Sequence, residues 1–501
     1  AATRVDENGL VNYAEVLGSE LVTNGDFELN SNWSNFGTPT TSEQSTEQSH
    51  TGTYSWKVIA DATQEGIFSP NNFNLTSGLT YSVSLWIYSV SGNSIKSGLN
   101  NTNVTVFTER TVIAGQWTNI TYEATATSTG ASYISILSQN SLQFFVDNVS
   151  VKEVTRNNVP RIDYTGGGCP KILSEPQRTN LITYSEDFSQ SSWSKTSGGT
   201  GSVPVITSNN VISPDGTQNA TRIVFNAGSG TSNSDKSEIS SSVTASDNTN
   251  ATASIYLKGL NGGEQLVFRG VASSTYTLIT LTTEWQRFST TEDSGTSNDF
   301  IQFGIRQSVS GHGVINANPT IFAWGSQIEE GSYPTSYIPT SGSAVTRNKD
   351  VFTRDGISSL IGQTEGTIFV DFDYTPHSLN YESVVSLQGT ATAQYLECYF
   401  NSLNKINVGI YNGGAVQLSF ASATQTAGNK KIAIAYKAND FAIYLNGTQV
   451  HTDNSGSVPL LSKLGLGSDF ASSNYQLSQP IKQLQVYKTR LTNTQLAALT
   501  S

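Results

Sequence analysis

The sequence predicts an all-β protein built of three tandem β-sandwich or jelly-roll domains with short irregular connectors. Three observations predict it. Charged residues make up only 13% of the 501 residues, hydrophobics 36% and aromatics 10%, with 43 glycines; that is too uncharged for a disordered tail and too aromatic for a linker. Period-two patterns recur along the chain, whereas long helical patterns do not. A set of landmarks occurs twice in the same order. At about 150 residues per domain, the length agrees with three. Methionine is absent, for which the sequence offers no physical reason.

Taken in order, residues 1–17 read as an N-terminal segment, and its opening Ala-Ala-Thr-Arg-Val-Asp has no signal-peptide core. Residues 18–155 read as the first sandwich, with Tyr81-Ser-Val-Ser-Leu-Trp-Ile-Tyr88 as a typical half-buried strand. Residues 156–180 are rich in glycine and proline and read as a connector without a core of its own. Residues 181–345 repeat the first sandwich. Asn24-Gly-Asp-Phe-Glu-Leu-Asn-Ser-Asn-Trp33 lines up with Ser185-Glu-Asp-Phe-Ser-Gln-Ser-Ser-Trp193 and Ser49-His-Thr-Gly-Thr53 with Ser213-Pro-Asp-Gly-Thr217. Further along, Ser84-Leu-Trp-Ile-Tyr88 matches Ser254-Ile-Tyr-Leu-Lys258, Gln116-Trp117 matches Glu284-Trp285, and Phe144-Phe-Val-Asp-Asn148 matches Ile321-Phe-Ala-Trp-Gly325. Residues 346–501 show a different β pattern, including a hairpin, Ala442 to Val450, turned at Asn446-Gly447 in type I′ geometry. One short helix is expected, Asn493 to Leu499.

Lys plus Arg is 27 against 39 Asp plus Glu, a net charge of −12, which disfavours nucleic acid and anionic membranes as partners but not a neutral glycan. Apolar runs are too short for membrane insertion. Two cysteines, Cys169 and Cys398, are too few for a zinc cage or a disulfide framework and read as idle thiols. Four histidines, His50, His312, His377 and His451, leave little for metal or triad chemistry. No nucleophile elbow, P-loop or zincin motif is present. Asp371 and Asp373 alternate onto one face, but the two-carboxylate strand of a glycanase is missing; the chain reads as non-catalytic.

Apolar sugar faces stack on exposed aromatic rings while amides and carboxylates take the hydroxyls. Trp33, Trp56, Trp86 and Tyr88 are the carbohydrate-binding candidates. Leu85 and Ile87 share one face of their strand, so Trp86 and Tyr88 share the other, where a glycan could lie. Trp117, repeated as Trp285, reads as packing instead.

Leu21-Val-Thr-Asn-Gly-Asp-Phe-Glu28, Trp33, Gly52-Thr-Tyr-Ser-Trp56 and Phe145-Val-Asp-Asn-Val149 resemble the family-4/9 type carbohydrate-binding modules. That resemblance implies a jelly roll with a structural Ca²⁺, for which Asp26, Glu28 and Asp147 are the counterpart carboxylates; in the second copy only Asp187 and Asp215 would remain. Gly366-Thr-Ile-Phe-Val-Asp-Phe-Asp373, Ile443-Tyr-Leu-Asn-Gly447 and Leu484 to Thr492 look like a laminin-G or concanavalin-type sandwich. The connector strings Val159-Pro-Arg-Ile-Asp-Tyr164, Glu175-Pro-Gln-Arg-Thr-Asn-Leu181, Tyr184-Ser-Glu-Asp-Phe188 and Trp324 to Thr340 resemble tailed-bacteriophage virion appendage proteins. In that family Thr3-Arg-Val-Asp-Glu-Asn-Gly-Leu10 leads directly into the Pro-Arg-Ile-Asp-Tyr string, so the first sandwich reads as an insertion. The resemblance implies a virion surface location on head or tail, with other virion proteins and host cell-surface glycan as partners. Homo-oligomerisation is left open, since no coiled-coil heptads enforce it. Two other readings stand beside the adhesive one: a purely architectural decoration protein, and a bacterial cell-surface polysaccharide-binding protein.

Overall fold

A computed structural model describes residues 2–70, 73–100, 105–156, 159–167, 169–246, 249–273, 275–294, 299–309, 318–376, 381–391, 393–467 and 480–501; His312 and His377 lie outside them. The protein is nearly all antiparallel strand and divides into two compact units, Glu15–Val159 and Ala1–Ala14 with Pro160–Ser501. Among the described residues, no helix is long and apolar enough to cross a membrane.

The Glu15–Val159 unit is a sandwich of two sheets. One runs Trp117–Thr125, Thr80–Ser89, Leu142–Thr155, Ser55–Ala60, Thr41–Ser45, and the other Thr105–Val112, Asn93–Asn100, Gly130–Ser138, Gly66–Phe68, Ser34–Phe36. Alternation builds the core. Along Thr80–Ser89, Tyr81, Val83, Leu85 and Ile87 are buried while Ser82, Ser84, Trp86 and Tyr88 are half-buried on the opposite face. From the other sheet Leu99, Ile134 and Ile136 join the same core, each contributing about 1.5–3 kcal/mol by leaving water.

In the Ala1–Ala14 and Pro160–Ser501 unit, a second sandwich reproduces that strand order. Thr249–Gly259 lies between Gln286–Ser294 and Thr320–Glu330, followed by Ala220–Asn226 and Ser202–Val211. In both copies the register between the central and last strands slips at the same place, between Asp147 and Ser150 and between Ser254 and Tyr256. Asn148 and Gly325 there have φ of 49° and 62°, the left-handed conformation that a bulge takes and that asparagine and glycine tolerate best.

The third sandwich pairs a seven-stranded with a six-stranded sheet. Strands Phe441–Leu445 and Thr448–Asp453 meet at Asn446 and Gly447, both at positive φ as a type I′ turn requires. The closing helix spans Asn493–Thr500, started by a Thr492/Gln495 capping box. Cys398 is buried in this core, where desolvation pushes its thiol well above the ordinary range, and Cys169 is exposed.

The connector is not a passive tether. Ile162–Asp163 pairs with Lys171–Ile172, and Ile172 pairs onto Ile481 of the seven-stranded sheet. Arg161, buried, donates to both oxygens of Asp350, to Glu175 at 2.8 Å and to the Thr3 carbonyl at 3.1 Å. Arg347 meets the same Glu175 at 2.7 Å. Burial raises the Glu175 carboxyl, but Arg347 and Arg161 outweigh it and hold the group at about 2. The N-terminal hairpin, Thr3–Val5 with Val11–Tyr13, docks here too. The Val5 amide donates to Asp163, and the Val5 carbonyl accepts from Tyr164. The Thr-Arg-Val-Asp and Pro-Arg-Ile-Asp-Tyr strings are thus neighbours in space, while Glu15–Val159 separates them in sequence.

Candidate functional site

The Thr80–Ser89 strand presents Trp86 and Tyr88 on the outer face of its sheet, away from Leu85 and Ile87. Register places a row of side chains across that face: Trp117, Tyr88, Phe145, Lys57 and Glu43 are successive cross-strand partners. Asn119, Trp86 and Asp147 form the adjacent row. Tyr88 lies 5.8 Å from Trp117 and 6.0 Å from Phe145, ring centre to ring centre. The His50 imidazole stacks on Trp86 at 3.8 Å and 16°, covering one face of the indole. Phe145 is buried, so the rings of this aromatic band open to a ligand are the half-buried Trp86, Tyr88 and Trp117, with Asn119, Lys57 and Glu43 beside them, a pattern that suits a sugar's apolar face and hydroxyls.

Trp117 departs from its expected role. It is half-buried on this same outer face, paired with Tyr88 at the start of its strand. Repetition as Trp285 suggests packing, and Trp285 does pack against the Trp324–Tyr337 cluster of the second sandwich, whereas Trp117 meets Tyr88 and His50 on the outer face.

Trp33 and Trp56 do not belong to the band. Only 8% and 6% exposed, they sit in the core with Phe27, at 4.8 Å and 5.9 Å from its ring. The Trp33 indole N–H donates to the Asn24 carbonyl, as Trp193 does to Tyr184 in the second sandwich. Trp56 shares the inward face with Val58 and Ala60 and donates to Ser42 Oγ. Neither ring is available to a glycan.

The carboxylates implied for calcium are placed differently as well. Asp147 is fully buried and accepts N–H bonds from His50, Thr51 and Asn148 at 2.7, 3.1 and 2.7 Å. Burial nonetheless pushes its carboxyl above the usual range. Glu28 Oε1 accepts from the Thr53 and Tyr54 amides at 2.7 and 3.0 Å. The two acids therefore clamp the Ser49–Tyr54 turn from opposite ends, and Asp26 is exposed. A cation needs converging oxygens, whereas both Asp147 oxygens and Glu28 Oε1 face N–H donors, an arrangement that does not fit a calcium site between these two acids. Among the described residues no group of three His, Cys, Asp or Glu side chains gathers to hold a metal. In the second copy Asp187 bonds within its own turn to Ser189 and Gln190; the acids that approach are Glu186 and Asp215, which share the Asn219 amide at 3.1 Å each.

Two further aromatic surfaces were not singled out from the sequence. On the opposite sheet of the first sandwich, Phe68 contacts Phe36 and Tyr133 edge-on at 6.2 and 5.3 Å. In the third sandwich Tyr381 stacks on Tyr399 at 4.0 Å and Tyr395 on Tyr411 at 4.5 Å, with Glu397 accepting from Tyr381. The alternation Tyr395-Leu-Glu-Cys-Tyr399 carried that signal. Asp371 and Asp373 do share a face, but Asp373 is bound by Lys171 and Lys482, which outweigh burial and lower its carboxyl. An acid held ionised by two lysines is unsuited to protonate a leaving group.

In the second sandwich the face equivalent to the aromatic band carries Tyr256, Trp285 and Trp324, and the chain covers it itself. Val5 and Val11 of the N-terminal hairpin and Tyr337 of the 333–340 segment pack there.

Residues 19–140, less than half of the chain, match the family described as "Carbohydrate binding domain". No curated protein matches the chain. Among solved structures, the CBM40 module of the Ruminococcus gnavus IT-sialidase is 15% identical over 30% of this chain and 98% of that one, at TM-score 0.26. The CBM22-1–CBM22-2 tandem of Paenibacillus barcinonensis Xyn10C is 11% identical over 64% of this chain and 100% of that one, at 0.25. A SAP-like pentraxin from Limulus polyphemus is 16% identical over 28% and 72%, at 0.24. At these scores nothing about ligands is carried over from the solved structures.

Proposed function

We propose that this protein is a non-catalytic adhesive component of a tailed-phage particle, displayed on its surface, whose first sandwich binds host cell-surface polysaccharide. The observation that carries the binding half is the outer-face group of half-buried Trp86, Tyr88 and Trp117, with Lys57 on the same face, all within the segment that matches a carbohydrate-binding family. The net charge of −12 favours a neutral glycan. The virion half rests on the connector strings, whose residues Arg161 and Glu175 join Arg347 and Asp350 in the buried ion network of the larger unit. Many copies on one particle would let weak individual sites act by avidity.

Glycan-array binding that disappears in Trp86→Ala tests the adhesive half. Firm incorporation into particles with no binding to any host polysaccharide would favour pure architecture instead. Cryo-electron microscopy of an intact particle, with the chain found on head or tail surface or absent from both, tests the location.

A further inference from the structure

The second sandwich holds a cavity of about 300 Å³ between its outer face and the N-terminal hairpin. One wall is aromatic: Trp324 and Tyr337, with ring centres 4.5 Å apart. The other is polar, with Asn12, Glu186 and Asp215 among its lining. Trp324 is 1% exposed and its indole N–H has no acceptor in the protein, a costly omission for a buried donor. Glu186 accepts from the Tyr337 hydroxyl at 2.9 Å and shares the Asn219 amide with Asp215. Among the described residues no cationic side chain lines the cavity.

We infer that this cavity is a binding site for one donor-rich, pyranose-sized ring, a free or terminal hexose. The volume, at the lower end of small-ligand pockets, holds one ring rather than several. The aromatic wall offers a stacking surface, and Glu186 with Asp215 Oδ2 offers acceptor capacity for hydroxyls, Asp215 Oδ1 being taken by Ser213 and Thr217. An anionic sugar would meet the same two carboxylates without any compensating cation. The site is separate from the outer face of the first sandwich and does not require it.

The test is saturation-transfer NMR on the full chain carrying Trp86→Ala, so that the proposed glycan surface cannot contribute. Glucose, galactose and mannose are the probes at millimolar concentration, with glucosamine to separate a neutral from a cationic ligand. Saturation transfer to at least one hexose is expected, weakened about tenfold by Glu186→Gln, as for the loss of a charged hydrogen bond. Thr217→Trp, at the exposed rim, should abolish it while leaving the thermal unfolding profile intact. No transfer to any hexose, transfer to glucosamine alone, or hexose signals that survive Thr217→Trp in a folded protein would each overturn the assignment.

Discussion

At the residue scale, alternation separated the aromatics correctly where it was applied. Leu85 and Ile87 face the core, and Trp86 and Tyr88 face out. The same rule applied to Trp56, which alternates in step with Val58 and Ala60, would have placed it inside. Repetition by itself does not assign a side of the sheet. Trp117 is an outer-face residue although Trp285 repeats it, whereas Trp33, repeated as Trp193, is the true packing pair, with a matching indole bond to a carbonyl nine residues back. Sequence repetition marks a conserved position in the fold, but not which side of the sheet it occupies. Trp33→Ala should therefore destabilise the first unit by about 3–5 kcal/mol, seen as a large fall in its melting temperature. Trp86→Ala should change stability by less than about 1 kcal/mol; equal melting losses in the two variants would show that Trp86 is a core residue.

At the element scale, the Asn446-Gly447 hairpin and the closing helix were legible because turn and capping residues encode them locally. The role of Glu28 and Asp147 was not, because what surrounds a carboxylate depends on which loop folds against it. Their oxygens take the amides of the Ser49–Tyr54 turn, so they act as the turn's cap rather than as metal ligands. A chelator should leave the thermal unfolding of the Glu15–Val159 unit unchanged. Asp147→Ala should cost about 1–3 kcal/mol for each amide left without an acceptor. A clear drop in melting temperature on adding EDTA, restored by calcium, would contradict this.

At the scale of the whole molecule, strand order repeats between two sandwiches, and the N-terminal hairpin finds its partner strings across the intervening Glu15–Val159 unit. The repeat was readable because landmark residues survive in both copies. The ion network was not, since Arg161 and Glu175 are far along the chain from Arg347 and Asp350. Glu175 is held at about 2, below an ordinary value of 4.5. Its contribution to stability is thus complete above the ordinary value and is lost as the pH falls through about 2. Acid unfolding followed by tryptophan fluorescence should show less loss over that window in Glu175→Gln than in the parent chain, from a lower starting stability. The excised Glu15–Val159 unit, lacking this network, should fold alone and give its own cooperative melting transition. The central claim is that this unit's aromatic band is a glycan surface. Its most direct measurement is calorimetric titration of the full chain with an array-positive neutral polysaccharide, comparing Trp86→Ala with Phe68→Ala on the opposite sheet. The account predicts that Trp86→Ala abolishes binding while Phe68→Ala retains it; retention in Trp86→Ala with loss in Phe68→Ala would contradict it.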